Sequence, residues 1–236
     1  MNPLYQIHIN CKSCSRDFQT SKVRSSFKKP RKVDSDFCVH YNEGQENPEY
    51  YVVHICPYCG YASTSSFATS LDEAVKELYR KKISASWALR DFGGRRTVDD
   101  AMFSFKLALY SAQISNENER LIAGILHHIA WLYRYQLDSE NELRYLQLTL
   151  EAYVNVFEKD ESGENNRAKL MYLIGDLHRR LKQYNEAVRW FGKVIQDQSI
   201  TDAGMIRACR EGWMNTREEM IAQRLELPEV LKSERK

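Results

Sequence analysis

Cys11-Lys12-Ser13-Cys14 and Cys56-Pro57-Tyr58-Cys59-Gly60 decide how the first quarter of this 236-residue chain is read. Each stretch places two thiols on one tight turn, and two such turns supply the four soft ligands of a tetrahedral zinc ion. A site of that kind is structural, with no open position. Gly60 suits the second turn because a residue without a side chain lets backbone N–H groups approach the sulfurs. Ser15 stands at the equivalent place in the first turn.

Cys56-Pro57-Tyr58-Cys59 also reads as a redox dithiol of the glutaredoxin type. That chemistry uses a cis-proline loop beside the dithiol, and no proline occurs between Pro57 and Pro228. It also leaves the other Cys-x-x-Cys without a role. The spacing therefore favours zinc held by Cys11, Cys14, Cys56 and Cys59, with His8 and His54 read as strand residues near the turns.

Five of the six cysteines precede residue 60, and Cys209 recurs with Ile206, Trp213 and Met220 at helical spacing, as a small buried hydrophobe does. Met1 to Asn10 lacks the basic start and apolar run of a signal peptide, and no stretch approaches the roughly 18 apolar residues of a membrane span. A reducing cytoplasm is expected, where paired cysteines bind metal more often than they form disulfides. A net charge of +2 excludes a polycation. The local balance differs, since Lys22, Arg24, Lys28, Lys29, Arg31 and Lys32 follow one another without an acid between them. Such a run either binds phosphates or guards a strand edge as a solvated loop, and the scarcity of aromatic residues within it favours the solvated loop.

Tyr5, Ile7 and Ile9 alternate with polar residues and lead into the first cysteine turn, while Tyr50 to Ile55 leads into the second, so both turns are expected to follow strands. A module this small buries little apolar surface, and a metal is its expected staple. Between the turns, an extended Val33 to Tyr41 would place Asp34, Asp36, Cys38 and His40 on one side. Two carboxylates, a thiol and an imidazole could form a second metal site or the centre of a metal-dependent hydrolase; an ordinary polar strand face is the simpler reading.

The order of these motifs, with Lys22-Val23-Arg24-Ser25-Ser26, Asp34-Ser35-Asp36-Phe37-Cys38, Asn47-Pro48-x-Tyr50-Tyr51 and Cys56-Pro57-x-Cys59-Gly60-Tyr61-Ala62, resembles the bacterial domain-of-unknown-function family 2225. The likeness covers mainly residues 8 to 110. It implies a cytoplasmic bacterial protein with a cysteine-bearing N-terminal part and a helical remainder, and carries over no activity. Many members have Cys-Pro-x-Cys-Gly in the first turn, where this chain has Cys11-Lys12-Ser13-Cys14-Ser15.

After Ser70 the apolar period changes from two to 3.6. Ser70 with Glu73, Thr97 with Asp100 and Ser139 with Glu142 read as capping boxes; Gly93-Gly94 and Ser162-Gly163 read as breaks. Residues 168 to 201 resemble a tetratricopeptide repeat, with Gly175 and Ala187 small enough for close helix crossing and Phe191 at the aromatic position. On the helix around 118 to 136, Ile122, Ile125, Ile129 and Leu132 face inward, while His127, Trp131 and Arg134 share another face, read as a partner-binding groove or a second packed face.

The expected fold class is α+β: a small β-rich zinc-ribbon-like module (1–68), an all-α tetratricopeptide-like helical-hairpin domain (69–227) and a C-terminal tail (228–236). The expected function is that of a non-catalytic zinc-binding adaptor or regulator that binds another protein, away from membranes. The alternatives are a hydrolase built on Asp34, Asp36, Cys38 and His40, or a nucleic-acid-binding ribbon using the basic run.

Overall fold

The structure, a computed structural model, describes residues 2–159 and 164–223. The break expected at Ser162-Gly163 and the tail expected at 228–236 lie outside them. Alternation in the first ten residues produces strand β1 (Leu4–Asn10), which pairs antiparallel with β2 (Asp17–Val23), Leu4 facing Val23 and Asn10 facing Asp17. Ile7 and Ile9 are half-buried, but Tyr5, toward the outer end of this ribbon, is exposed.

The expected extended run over 33–41 is instead a minimal hairpin. β3 (Lys32–Val33) pairs with β4 (Val39–His40), the Asp34 N–H closes the loop on the Cys38 carbonyl at 2.8 Å, and Phe37 turns the chain with φ at 68°. The Tyr50–Ile55 run likewise divides: Asn47 caps a 3₁₀ turn (Pro48–Tyr51) by accepting the Glu49 N–H, with Pro48 preset for the first turn, and only His54–Ile55 is strand. That strand, β5, pairs with β6 (Ala62–Ser63). No strand follows among the described residues, so the chain is α+β as its patterning indicates.

The helices are α1 (Glu73–Lys82), α2 (Val98–Ile114), α3 (Glu119–Tyr135), α4 (Ser139–Lys159), α5 (Glu164–Arg180), α6 (Tyr184–Gln196) and α7 (Ala203–Ala222). The capping box at Thr97 and Asp100 forms in full. The other two starts shift: Asp72, not Ser70, caps α1 through the Val75 N–H, and Asp138 accepts the Asn141 N–H at the head of α4. In both cases a charged carboxylate wins over a nearby hydroxyl, as the positive end of a helix favours.

The chain forms two compact units. The first comprises the described residues up to Asp34 together with Cys38–Tyr145, so it contains α1, α2 and α3 as well as every strand among the described residues. The expected boundary after residue 68 therefore does not divide the packing, because β5, β6 and α2 share one core: Val53, Ile55, Ala62, Phe67, Ala101, Phe105, Ile125, Ile129 and Leu132 are all buried in it. Arg96 ties this unit together. Its buried guanidinium donates to the carbonyls of Tyr50, Val53 and Phe92 and to the Thr20 hydroxyl, which compensates the loss of water around the charge.

The second unit comprises Ser35–Phe37 and the described residues from Leu146 onward. Phe191 on α6 is its keystone, wedged so closely that a Cβ on Gly175 of α5 or Gly212 of α7 would lie 2.7 and 2.6 Å from its ring. Ala187 and Cys209 are buried alongside, and burial pushes the Cys209 thiol up to about 12, the behaviour of an inert core residue. The tripeptide is held by polar contacts. The Ser35 hydroxyl meets Asp176, Arg179 and Arg180, each at 2.9 Å, its carbonyl accepts from the Tyr172 hydroxyl, and the fully buried Asp36 pairs with Arg180 at 3.1 Å.

Candidate metal centre

Both cysteine turns sit at hairpin tips, and both are closed by the same backbone device. In the first, Cys11 follows β1, its N–H donates to the Arg16 carbonyl at 3.0 Å, and the Ser15 N–H returns to the Cys11 carbonyl at 2.8 Å. In the second, Cys56 follows β5, its N–H donates to the Tyr61 carbonyl at 2.9 Å, and the Gly60 N–H returns to the Cys56 carbonyl at 3.0 Å. The fifth residue of each turn is left-handed, Ser15 at φ 60° and Gly60 at φ 74°. Glycine is needed in the second for a further reason: a Cβ there would lie 2.5 Å from the ring of Trp87. Trp87 covers that turn and donates its indole N–H to the Pro57 carbonyl at 2.8 Å, while the Ser84 hydroxyl donates to the Cys59 carbonyl at 2.9 Å.

The four sulfurs converge. Cys11 and Cys59 approach to 3.6 Å, Cys14 and Cys56 to 3.7 Å, and all four sulfurs lie within 4.8 Å of one another. A tetrahedral tetrathiolate with metal–sulfur bonds of about 2.3 Å has edges of about 3.8 Å, and a disulfide requires about 2.05 Å. The arrangement thus fits a metal cage and not a disulfide pair. Cys11, Cys56 and Cys59 are buried against Phe18, Tyr61, Leu71, Tyr79 and Ile83. Among the bare thiols, sulfur hydrogen bonds from Cys11 and Cys59 hold Cys56 down to about 2, whereas contacts with Cys11 and Cys56, reinforced by burial, drive Cys59 far up. Sulfurs this close cannot all ionise on their own account. A central cation removes that conflict, so the four cysteines could hold a metal ion.

The second polar patch is rearranged by the 32–40 hairpin. Asp34, Cys38 and His40 do converge, whereas Asp36 points elsewhere, to Arg180. Asp34 already meets Lys32 at 2.8 Å, His40 at 2.7 Å and Arg134 at 2.9 Å. Burial opposes its ionisation, but Lys32, His40 and Arg134 together hold its carboxyl down to about 2. Both carboxylate oxygens are engaged with cationic or imidazole nitrogens, and a divalent ion would have to compete with two fixed positive charges. The cluster is built as a polar lock. The Cys38 thiol lies 3.5 Å from the Tyr135 hydroxyl, which itself donates to the Val39 carbonyl at 2.7 Å.

His127, Trp131 and Arg134 share a face, with the His127 and Trp131 rings 4.6 Å apart, but they do not line an open groove. His127 and Trp131 are only 3% and 8% exposed, and Arg134 is committed to Asp34 and to Glu142 at 2.7 Å. The packed-face reading replaces the groove. Of the basic run, Arg24, Lys28, Lys29, Arg31 and Lys32 are exposed and Lys22 is half-buried. Sequence reasoning missed Trp87, Ser84 and Arg96. A tryptophan close after a short helix was the available signal for the first; nothing in spacing marks the other two.

No curated protein matches the chain. No helix among the described residues is long and apolar enough to cross a membrane. The family described as "Uncharacterized protein conserved in bacteria (DUF2225)" matches residues 4–216, nearly the whole length. With the paired cysteine turns and helical remainder described above, that match establishes that the chain belongs to this family.

Proposed function

We propose that this protein is a non-catalytic, zinc-binding adaptor or regulator of the bacterial cytoplasm, in which the metal staples the first unit and the helices of the second bind another protein. The observation that carries the zinc assignment is the closed set of four sulfurs at tetrahedral spacing, with no oxygen or nitrogen ligand and no open position. Tetrathiolate sites take zinc or iron, and zinc is the structural choice without redox chemistry. The adaptor assignment rests on the hairpin of α5 and α6, read as tetratricopeptide-like from Gly175, Ala187 and Phe191, since stacked hairpins serve as binding surfaces for extended partners. A hydrolase is disfavoured because Asp36 leaves its patch and Asp34 is saturated by Lys32, His40 and Arg134.

Elemental analysis of protein purified without chelator is expected to find about one zinc per chain, with no visible absorption of the kind iron thiolates give. Cys59→Ser should release it. A chain without stoichiometric metal, or one coloured by iron, overturns the zinc assignment. For the adaptor half, crosslinking of the full chain in cells followed by mass spectrometry should place partner crosslinks on α4 to α7. Crosslinks confined to the first unit would sink it.

A further inference from the structure

Arg24, Lys28, Lys29 and Arg31 are exposed cations crowded into a stretch of sequence that holds no acid. Several bases elsewhere pair within the chain, Lys76 with Glu73 at 2.7 Å, Arg80 with Glu77 at 2.9 Å, Arg90 with Asp100 at 3.0 Å, Arg95 with Glu46 at 2.7 Å and Arg189 with Glu186 at 2.6 Å, while Lys82, Arg144, Arg207 and Arg210 are exposed and join none of the observed ion pairs. Between Asp17 and Asp34 there is no acid at all, and Lys28, Lys29 and Arg31 are exposed cations that none of the observed ion pairs includes. A solvated loop that merely guards an edge has no need of four such charges in eight residues. Arg24 donates to the Asn2 carbonyl at 3.2 Å and places its guanidinium 5.4 Å from the centre of the Tyr5 ring. Tyr5 is exposed and lies directly opposite Lys22 in the β1–β2 register, which puts an aromatic plane and two cations on the same face of the ribbon.

We propose that this margin of the first unit binds single-stranded nucleic acid, with Lys28, Lys29 and Arg31 on phosphates and Tyr5, flanked by Lys22 and Arg24, as the platform on which one base stacks. Uncompensated cations with an adjoining aromatic face are what a single strand requires, because its backbone carries the charge and its unpaired bases expose ring faces. A membrane is the poorer match. Anionic lipid binding draws on apolar anchors beside the bases, and the one large apolar side chain between Arg24 and Lys32, Phe27, is half-buried. The segment is a 3₁₀ turn and loop leading into β3, with no helix to enter a duplex groove.

The test uses full-length, zinc-loaded protein and fluorescein-labelled 20-nucleotide single strands of mixed-sequence RNA and DNA, read by anisotropy over a salt series. Wild type should bind saturably, with an affinity that falls as salt rises. Lys28→Ala/Lys29→Ala/Arg31→Ala should weaken binding at least tenfold at low salt and make the log–log salt slope shallower by about 2, since each phosphate contact on a single strand contributes about 0.7. Tyr5→Ala should weaken binding about tenfold while leaving the slope unchanged. Lys76→Ala/Arg80→Ala/Lys81→Ala removes equal charge elsewhere and should leave the slope as in wild type. Zinc content and circular dichroism verify that each variant is folded. Absence of saturable binding, an unchanged slope in the first triple variant, or preferred binding of duplex DNA, of vesicles containing phosphatidylserine or of polyglutamate overturns the proposal.

Discussion

Ser15 and Gly60 occupy the same left-handed position in two equivalent turns, and only one of them is a glycine. A non-glycine residue there costs about 1 kcal/mol or more, so Ser15→Gly is expected to stabilise the metal-loaded protein by up to about 1 kcal/mol, read as a raised denaturant midpoint with unchanged metal content. Gly60→Ala should do the reverse and lower metal retention, because the added methyl meets both the backbone strain and the ring of Trp87. His54 adds a pH dependence. Its Nε2 is buried without a hydrogen-bond partner, and burial, with Lys22 and Arg96 nearby, pulls the imidazole down to about 4. A folded-state value depressed below the unfolded 6.5 means that the stabilising contribution is complete above pH 6.5 and is lost as pH falls toward 4. His54→Leu should flatten the fall in stability across that window relative to wild type, the metal site being common to both. Equal slopes would show that His54 does not titrate with folding.

Among the elements, long helices and the first hairpin were legible because burial imposes a period on many residues at once. The 3.6-residue stripes over α2 and α3 and the alternation of β1 each draw on seven or more positions. The two-residue strands were not legible, since β3, β4, β5 and β6 are too short for any period to declare itself. Asp36 shows the cost. Alternation put it with Asp34 and His40, whereas the loop from Asp34 to Cys38 turns it toward Arg180, a partner that no local pattern announces. The close crossing at Gly175 was readable from residue size, but the second glycine under the same ring, Gly212, was not, because it comes from α7. Gly175→Ala and Gly212→Ala should each destabilise by about 1 to 3 kcal/mol, and Phe191→Leu should reduce the penalty of either, a coupling that a double-mutant cycle measures directly. Additive costs would mean that the ring is not the shared obstacle.

On the scale of the whole molecule, spacing revealed the four metal-binding candidates because two short turns carry them, while the extent of the unit they stabilise was hidden. The sulfur cluster shares its apolar shell with Tyr79 and Ile83, from α1 and the residue after it, and with Leu107 and Ile114 of α2. Removal of the metal by chelator should therefore strip hydrogen-exchange protection from α1 and the adjoining part of α2 along with the hairpins, while α5 to α7 keep theirs. Loss restricted to residues before 68 would contradict this. Ser35–Phe37 carry the opposite lesson, being early in sequence and late in structure. Ser35 precedes its partner Asp176 by 141 residues, and at about 5–20 residues per second a ribosome needs roughly 7 to 30 seconds to cover that distance. For that interval the nascent chain carries three residues whose binding site has not yet been made, and the cysteine turns on either side are free to close first. The order of assembly is thus written into the direction of translation: the second unit is completed by a piece of chain that has been waiting for it.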